Sequence, residues 1–201
     1  MNENSIGLIL NTPAHLIIAA AAFSKPDAAR LNIAALTGAL LPDFSLYFMV
    51  FWNGYIKGMS ADEIFGEQYF SAYWQGVFSI DNSIPLWLAG FVIALLLKSH
   101  IFTAFFGAGL LHLLLDFPLH HDDGRAHFWP FSDWIFESPL SYWDSAHYGG
   151  IVGPIEGLLC LGLLVILWRR FEGYFAKGLI LLAGCLEMIP AIVFPILFSN
   201  G

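Results

Sequence analysis

Two polar residues set four positions apart, His112 and Asp116, enclose three leucines inside an otherwise apolar run. On a helix, side chains at i and i+4 share one face, so this pair could offer an imidazole and a carboxylate to one metal ion. The same spacing also serves a plain His–Asp hydrogen bond that satisfies two polar groups inside a helix bundle. Directly downstream the chain reads Asp116-Phe117-Pro118-Leu119-His120-His121-Asp122-Asp123-Gly124-Arg125-Ala126-His127. Pro118 is expected to end or bend the helix, after which several nitrogen and oxygen donors follow within a short stretch. A solvated acidic turn is the plainer reading of that stretch. The two adjacent histidines, the third at His127 and the helical pair upstream favour a metal. Neutral imidazole with carboxylate points to Zn²⁺ or another first-row divalent ion, as one or two ions. Both cysteines, Cys160 and Cys185, lie inside apolar runs, so neither a thiolate site nor a disulfide framework is expected.

Other chemistry-bearing residues stand farther away in the chain. His15 lies near the start of an apolar segment, where a lone histidine is more often a packed core residue and gains weight only by company. In Leu41-Pro42-Asp43 the proline removes a backbone donor, and Asp43 is expected to emerge at a helix break, as a cap or as a ligand. The candidate metal ligands are therefore His15, Asp43, His112, Asp116, His120 and His127. Asp122 or Glu156 is the candidate proton acceptor. Glu156 and Glu187 are carboxylates within apolar runs, each a neutral hydrogen-bonded acid or a base near the site. An interfacial hydrogen bond is the expected use of His147. Gly149, Gly150 and Gly153 lack the strand-turn-helix setting of a phosphate loop.

The elements that must hold these residues are membrane helices. Of 201 residues, 58% are hydrophobic and 12% charged, with a mean hydropathy of +0.68, whereas soluble domains run near 45–50% apolar and about 25% charged. Apolar runs at Thr12 to Phe23, Ile33 to Trp52, Ile84 to Leu97, Ile101 to Leu119, Ile151 to Trp168 and Leu179 to Phe198 give six segments. The expectation is an all-α polytopic transmembrane helix bundle, one integral membrane domain over residues 1–201 with outer-side loops 53–83 and 120–150. The first and third segments are short for a ~30 Å hydrocarbon core and are expected to be buried, tilted or re-entrant. Ile6 to Leu10 could extend the first upstream. The N-terminus carries no Lys or Arg ahead of its apolar stretch, so that segment is expected to be retained.

Six crossings place Lys25, Arg30, Lys98, Arg169, Arg170 and Lys177 on one side, against Lys57 and Arg125 on the other. The positive-inside rule then puts both termini outside. His15, His112, His120, His121, His127 and His147 gather at or near that outer side, a result the Lys and Arg count did not build in. Tyr73, Trp74, Trp129, Trp134, Tyr142 and Trp143 suit headgroup depth. The formal net charge of −8 and the lack of a basic stripe exclude nucleic acid as the main partner.

Taken together, His15, Leu41-Pro42-Asp43, His112 with Asp116, and Pro130-Phe131-Ser132 resemble the bacterial inner-membrane metal-dependent hydrolase family of the YdjM type, over about residues 13 to 132. The chain departs from that pattern at Ser45, where the family has a second aspartate, and in loop 53–83, which holds no histidine. The His120 to His127 cluster is the substitute source of ligands. The resemblance implies hydrolysis by a metal-activated water in the inner membrane, and a site at headgroup depth makes a lipid or lipid-linked (phospho)ester the expected substrate. The rival expectation is a non-catalytic membrane subunit or scaffold, with partner subunits and with the same cluster as a structural metal site or hydrogen-bonded network. Metal or proton transport is a weaker rival, hinted at only by Glu187 and His100.

Overall fold

The computed structural model describes residues 12–142 and 144–198, with side chains described up to residue 189. The upstream stretch Ile6 to Leu10 and Trp143 of the expected aromatic layer lie outside the described residues. Among the described residues the protein is helical, without a strand. The helices are α1 (Thr12–Phe23), α2 (Ala29–Phe51), α3 (Ala61–Glu63), α4 (Ala72–Asp81), α5 (Ile84–Leu96), α6 (His100–Asp116), α7 (Gly149–Arg170) and α8 (Tyr174–Phe198).

Three helical stretches among the described residues are long and apolar enough to cross a membrane: Ala29–Ile56, Ala72–Leu96 and Gly149–Arg170. Among the described residues, fewer stretches than the expected six therefore reach spanning length. With 12 and 17 residues, α1 and α6 reach only roughly 18 and 26 Å at 1.5 Å per residue, short of a ~30 Å core. Pro118 stops α6 at Asp116, before the expected Leu119. The third expected segment, by contrast, attains spanning length because α4 runs into α5 across Asn82 and Ser83 alone. Asn82 Nδ2 donates to the Phe78 carbonyl at 2.9 Å, and the Ser83 hydroxyl accepts the Leu86 N–H at 3.2 Å, so both helix ends are satisfied at the junction.

Two further expectations change. The stretch 53–83 is mostly helix, with π turns at Trp52–Ile56 and Ile64–Gln68, because Leu46, Met49, Ile64, Tyr69, Trp74 and Phe78 close a core of their own there. Nor does Pro42 break α2, which continues through it to Phe51. Prolines are tolerated in membrane helices where neighbours occupy the disturbed backbone. The carbonyl Pro42 leaves without its helical donor is that of Gly38, and on either side of the proline Asn82 Nδ2 lies 3.4 Å from the Pro42 carbonyl and a ring N–H of His112 reaches the Ala39 carbonyl at 2.7 Å.

The packing that matters most joins α2 to α6. Ala34, Ala35, Gly38 and Ala39 on the first and Ala104, Gly107, Ala108 and Gly109 on the second are all buried, with Ala39 and Ala108 in one cluster and Gly38 against the Phe105 backbone, while Gly107 and Gly109 make room for Phe23, Phe91 and Trp87. Small residues let two helix backbones approach closely, which is the main source of helix affinity where lipid removes the hydrophobic drive. A Cβ built on Gly38 would lie 2.0 Å from the Phe105 carbonyl oxygen. On the other flank α1 packs on α7 through Ala14, Ile17, Cys160 and Leu167. The Arg170 guanidinium donates to the Ala21 and Ser24 carbonyls at 2.8 and 3.0 Å, tying the ends of these two helices together. Outward-facing Leu96, Phe102 and Leu158 are exposed, as suits a lipid-facing surface.

The short links 24–28, 97–99 and 171–173 reverse the chain between neighbouring helices. The start of α1, the second half of α2 and the end of α6 thus share one end of the bundle. The irregular segment 117–148 crosses that end. It is stitched down by the Ile84 N–H to the His127 carbonyl (2.9 Å), the Ser138 N–H to the His120 carbonyl (3.0 Å) and the Ser138 hydroxyl to the Pro118 carbonyl.

Candidate metal centre

His15, His112 and Asp116, just over one hundred positions apart in the chain at their extremes, present ligand atoms that all lie within 4.8 Å of one another. All three residues are buried. Helix α1 supplies His15 from its first turn, and α6 supplies the other two from its last turns. The Asp116 carboxylate sits between the imidazoles, with Oδ1 2.8 Å from His15 Nε2 and Oδ2 3.0 Å from His112 Nε2. The two rings stack at 3.8 Å between centroids. Despite these short separations, neither His112 Nε2 nor Asp116 Oδ1 has a hydrogen-bond partner of acceptable geometry. Buried polar atoms in close approach but not aimed at each other are what ligands converging on a common point require. Nitrogen and oxygen ligands held 2.0–2.2 Å from an ion are separated by about 3 Å, which these distances match.

Two more groups border the centre. Asp43 Oδ1, from α2, is 3.7 Å from His112 Nε2, and its other oxygen accepts the Thr12 hydroxyl at 2.5 Å. His120 Nε2 is 3.6 Å from Asp116 Oδ2. The second nitrogens of these histidines are pinned, His112 Nδ1 on the Ala39 carbonyl and His120 Nδ1 on Asp123 Oδ2 at 2.8 Å. Metal-ligating histidines almost always carry such a partner, because it fixes the tautomer and turns the other lone pair inward. Burial opposes a charge on His120, but Asp123 and Asp116 outweigh it and push its pKa up to about 10.

Of the sequence candidates, His15, Asp43, His112, Asp116 and His120 are thus brought together. His127 is not in the close group: its Nδ1 bonds the Arg125 carbonyl at 2.9 Å and its ring packs edge-on against Phe117. Asp122 is exposed, and the adjacent Asp123 is the one turned inward. Glu156, half-buried on α7, lies within electrostatic reach of Asp116 and His120. Sequence reasoning missed Asp123, Thr12 and Arg125 as parts of this site. Arg125 is buried beneath it, donating to Asn82 Oδ1 at 2.8 Å, 3.6 Å from Asp43 Oδ1 and stacked over Phe78. The available signal for it was a lone arginine among histidines and carboxylates, since a buried guanidinium needs paired acids. Nothing in the sequence separated Asp123 from Asp122.

Burial first, and the neighbouring Arg125 charge second, lower the pKa of His127 to about 4. An unfolded histidine titrates near 6.5, so between the two values the unfolded chain binds more protons than the folded one. The contribution is therefore present above pH 6.5 and is lost as pH falls towards 4, by on the order of 2–3 kcal/mol. Thermal melts of metal-free protein in detergent should show this slope, and His127→Asn should flatten it. An unchanged slope in the variant would refute the assignment to His127.

Comparisons of the chain with protein-family models, with curated proteins and with solved structures return no match.

Proposed function

We propose that the protein is a membrane-embedded metal-dependent hydrolase of the YdjM type, holding one divalent ion on His15, His112 and Asp116, with Asp43 and His120 at its edge. The observation that carries this reading is the converging trio itself, buried, with ligand atoms that all lie within 4.8 Å of one another. Charge supports it too. Asp43, Asp116 and Asp123 stand against Arg125 and the His120 imidazole, so a divalent ion that displaced the His120 proton would leave the group neutral in a setting where uncompensated charge is costly. The donor set of imidazole and carboxylate fits Zn²⁺ or a similar ion.

Such an ion supplies Lewis-acid polarisation of a phosphoryl or carbonyl oxygen and a water acidic enough to ionise near neutral pH. The chain's own residues supply the rest. Asp123 and the Ala39 carbonyl orient His120 and His112. Arg125 holds Asp43 in place and keeps a fixed positive charge beside the site, which favours a phosphoester over a neutral ester. Glu156, within electrostatic reach of Asp116 and His120, is the candidate proton-transfer group of this reading. Tyr142, whose ring meets that of His120 edge-on at 6.0 Å, closes the site from the 138–148 segment.

The substrate of this reading is a lipid or lipid-linked phosphoester, which reaches a site at the membrane surface by lateral diffusion. Lys25, Arg30, Lys98, Arg169, Arg170 and Lys177 lie at or beside the links at the end of the bundle opposite the site, which supports an inner-membrane protein with the site on the periplasmic side. A groove of about 380 Å³ lined in part by Phe48, Trp52, Lys57, Tyr73 and Trp74 shares no residue with the centre, so the substrate is expected to enter elsewhere, over the 117–148 segment. Purified protein should contain about one equivalent of metal and release phosphate or a phosphorylated headgroup from a panel of lipid phosphoesters, with chelator abolishing turnover. Stoichiometric metal without turnover on any of them would sink the hydrolase and leave a scaffold with a structural metal.

A further inference from the structure

The groove at the outer end of α2 has no role so far. Phe48, Trp52, Asn53 and Lys57 line it from α2 and the turn that follows, and Gln68 and Tyr73 line it from beyond α3. Depth in the membrane gives it a chemistry. About twenty residues at ~1.5 Å each traverse a ~30 Å hydrocarbon core. Counted outward from Arg30 and Lys98, the cations at the opposite end, α2 leaves that core near Val50 and the joined α4–α5 stretch leaves it near Val77. Phe48 therefore lies at the hydrocarbon edge, and Trp52, Asn53 and Tyr73 lie in the headgroup layer, where aromatic rings are favoured.

Lys57 is drawn into that layer. The π turn Trp52–Ile56 bonds the Lys57 N–H to the Trp52 carbonyl at 3.1 Å, which seats Lys57 above Trp52. Its Nζ reaches back a turn and donates to Oδ1 of the buried Asn53 at 3.1 Å, and Asn53 Nδ2 is fixed on the Met49 carbonyl at 2.8 Å. A lysine at the end of a span ordinarily extends its ammonium towards water. Here the ammonium is held at the groove, and of its three donors Asn53 takes one.

We propose that this groove binds one phospholipid with a zwitterionic headgroup, its phosphate on the Lys57 ammonium and the start of an acyl chain along Phe48 and Trp52. Those two rings stack at 6.3 Å between centroids and are both exposed, an apolar strip that leads from the headgroup layer into hydrocarbon. Asp62, Glu63 and Glu67, exposed on the same connection, oppose a headgroup of surplus negative charge and favour one that adds an ammonium. Neither half of the ligand suffices. A free phosphate has one exposed lysine to hold it, and a lipid tail alone leaves the ammonium without an anion. The groove shares no residue with the buried centre, so this site stands or falls independently of hydrolysis.

Full-length protein in detergent, freed of copurifying lipid, provides the test by native mass spectrometry, with dioleoyl phosphatidylethanolamine, dioleoylglycerol and glycerophosphoethanolamine as separate probes. Wild type should bind one phosphatidylethanolamine about tenfold more tightly than dioleoylglycerol, the worth of one charge-assisted hydrogen bond, and should bind glycerophosphoethanolamine more weakly still. Lys57→Gln should erase the preference over dioleoylglycerol, and Lys57→Arg should restore it. Lys25→Gln, the same change of charge at the opposite end of the bundle, should leave it intact. Asp116→Asn, which disables the buried centre, should leave it intact as well, and a preference that vanished there would mean that the lipid sits at that centre and would overturn the groove site. Equal binding of the two lipids by wild type would overturn it without recourse to any variant, and so would an unaltered preference in Lys57→Gln.

Discussion

Asp116→Asn is expected to strip the protein of its buried metal while leaving the fold in place. The carboxylate contacts His15 and His112 at 2.8 and 3.0 Å and His120 at 3.6 Å, so it is the one group shared by three imidazoles. The amide has the same shape but no charge and is a far poorer ligand. Loss of an outer partner of a ligand already costs 10- to 100-fold in metal affinity, so loss of this ligand should cost at least ~100-fold, with activity falling in step. Asp116→Ala should go further. It removes the acceptor as well as the charge and leaves buried imidazoles facing a void, which costs on the order of 3–5 kcal/mol. Asp62→Ala, at an exposed position on α3, is the control and should change neither quantity. Isothermal titration with Zn²⁺ and melts in detergent read both effects. Undiminished zinc affinity in Asp116→Asn would show that the trio is a hydrogen-bonded network and not a ligand set.

Gly38→Ala should be the most damaging single methyl group in the molecule. Its Cβ would sit 2.0 Å from the Phe105 carbonyl oxygen and 2.8 Å from the carbonyl carbon, both of them backbone atoms that no rotamer change can move aside. Helices α2 and α6 must then separate. Overpacking of this kind costs typically 1–3 kcal/mol and more where the backbone itself is the obstacle. The consequence reaches the site, because the Ala39 carbonyl that orients His112 and the Asp43 carboxylate beside it both ride on α2. A lowered melting temperature and weakened metal binding should therefore appear together. By contrast, Gly157→Ala, where nothing lies within 4 Å of the added carbon, should leave both unchanged. A Gly38→Ala protein that melts and binds zinc like wild type would contradict the close helix contact.

Much of this arrangement was legible in the chain. The apolar runs announced an all-helical protein with membrane-length segments, and the i, i+4 spacing put His112 and Asp116 on one helix face. The isolated polarity of His15 and Asp43 singled them out before their partners were known. Among the described residues fewer of the apolar runs reach spanning length than hydropathy suggested, because hydropathy registers composition and not where a helix stops: Pro118 shortened α6, whereas a two-residue junction to α4 lengthened the third run. Pro42 was taken for a break because sequence alone does not show the neighbours that occupy its backbone.

What the sequence by itself determined is therefore the class of helix and the inventory of donors, both of which follow from local periodicity and from the cost of burying polar groups in lipid. Which donors meet was decided only by the tertiary structure. Asp43 reaches His112 because small residues on α2 and α6 permit a backbone approach that no local pattern encodes. Asp123 rather than Asp122 turns inward because the path of an irregular segment, set by bonds to Pro118, His120 and Ile84, fixes which of two adjacent aspartates faces the bundle.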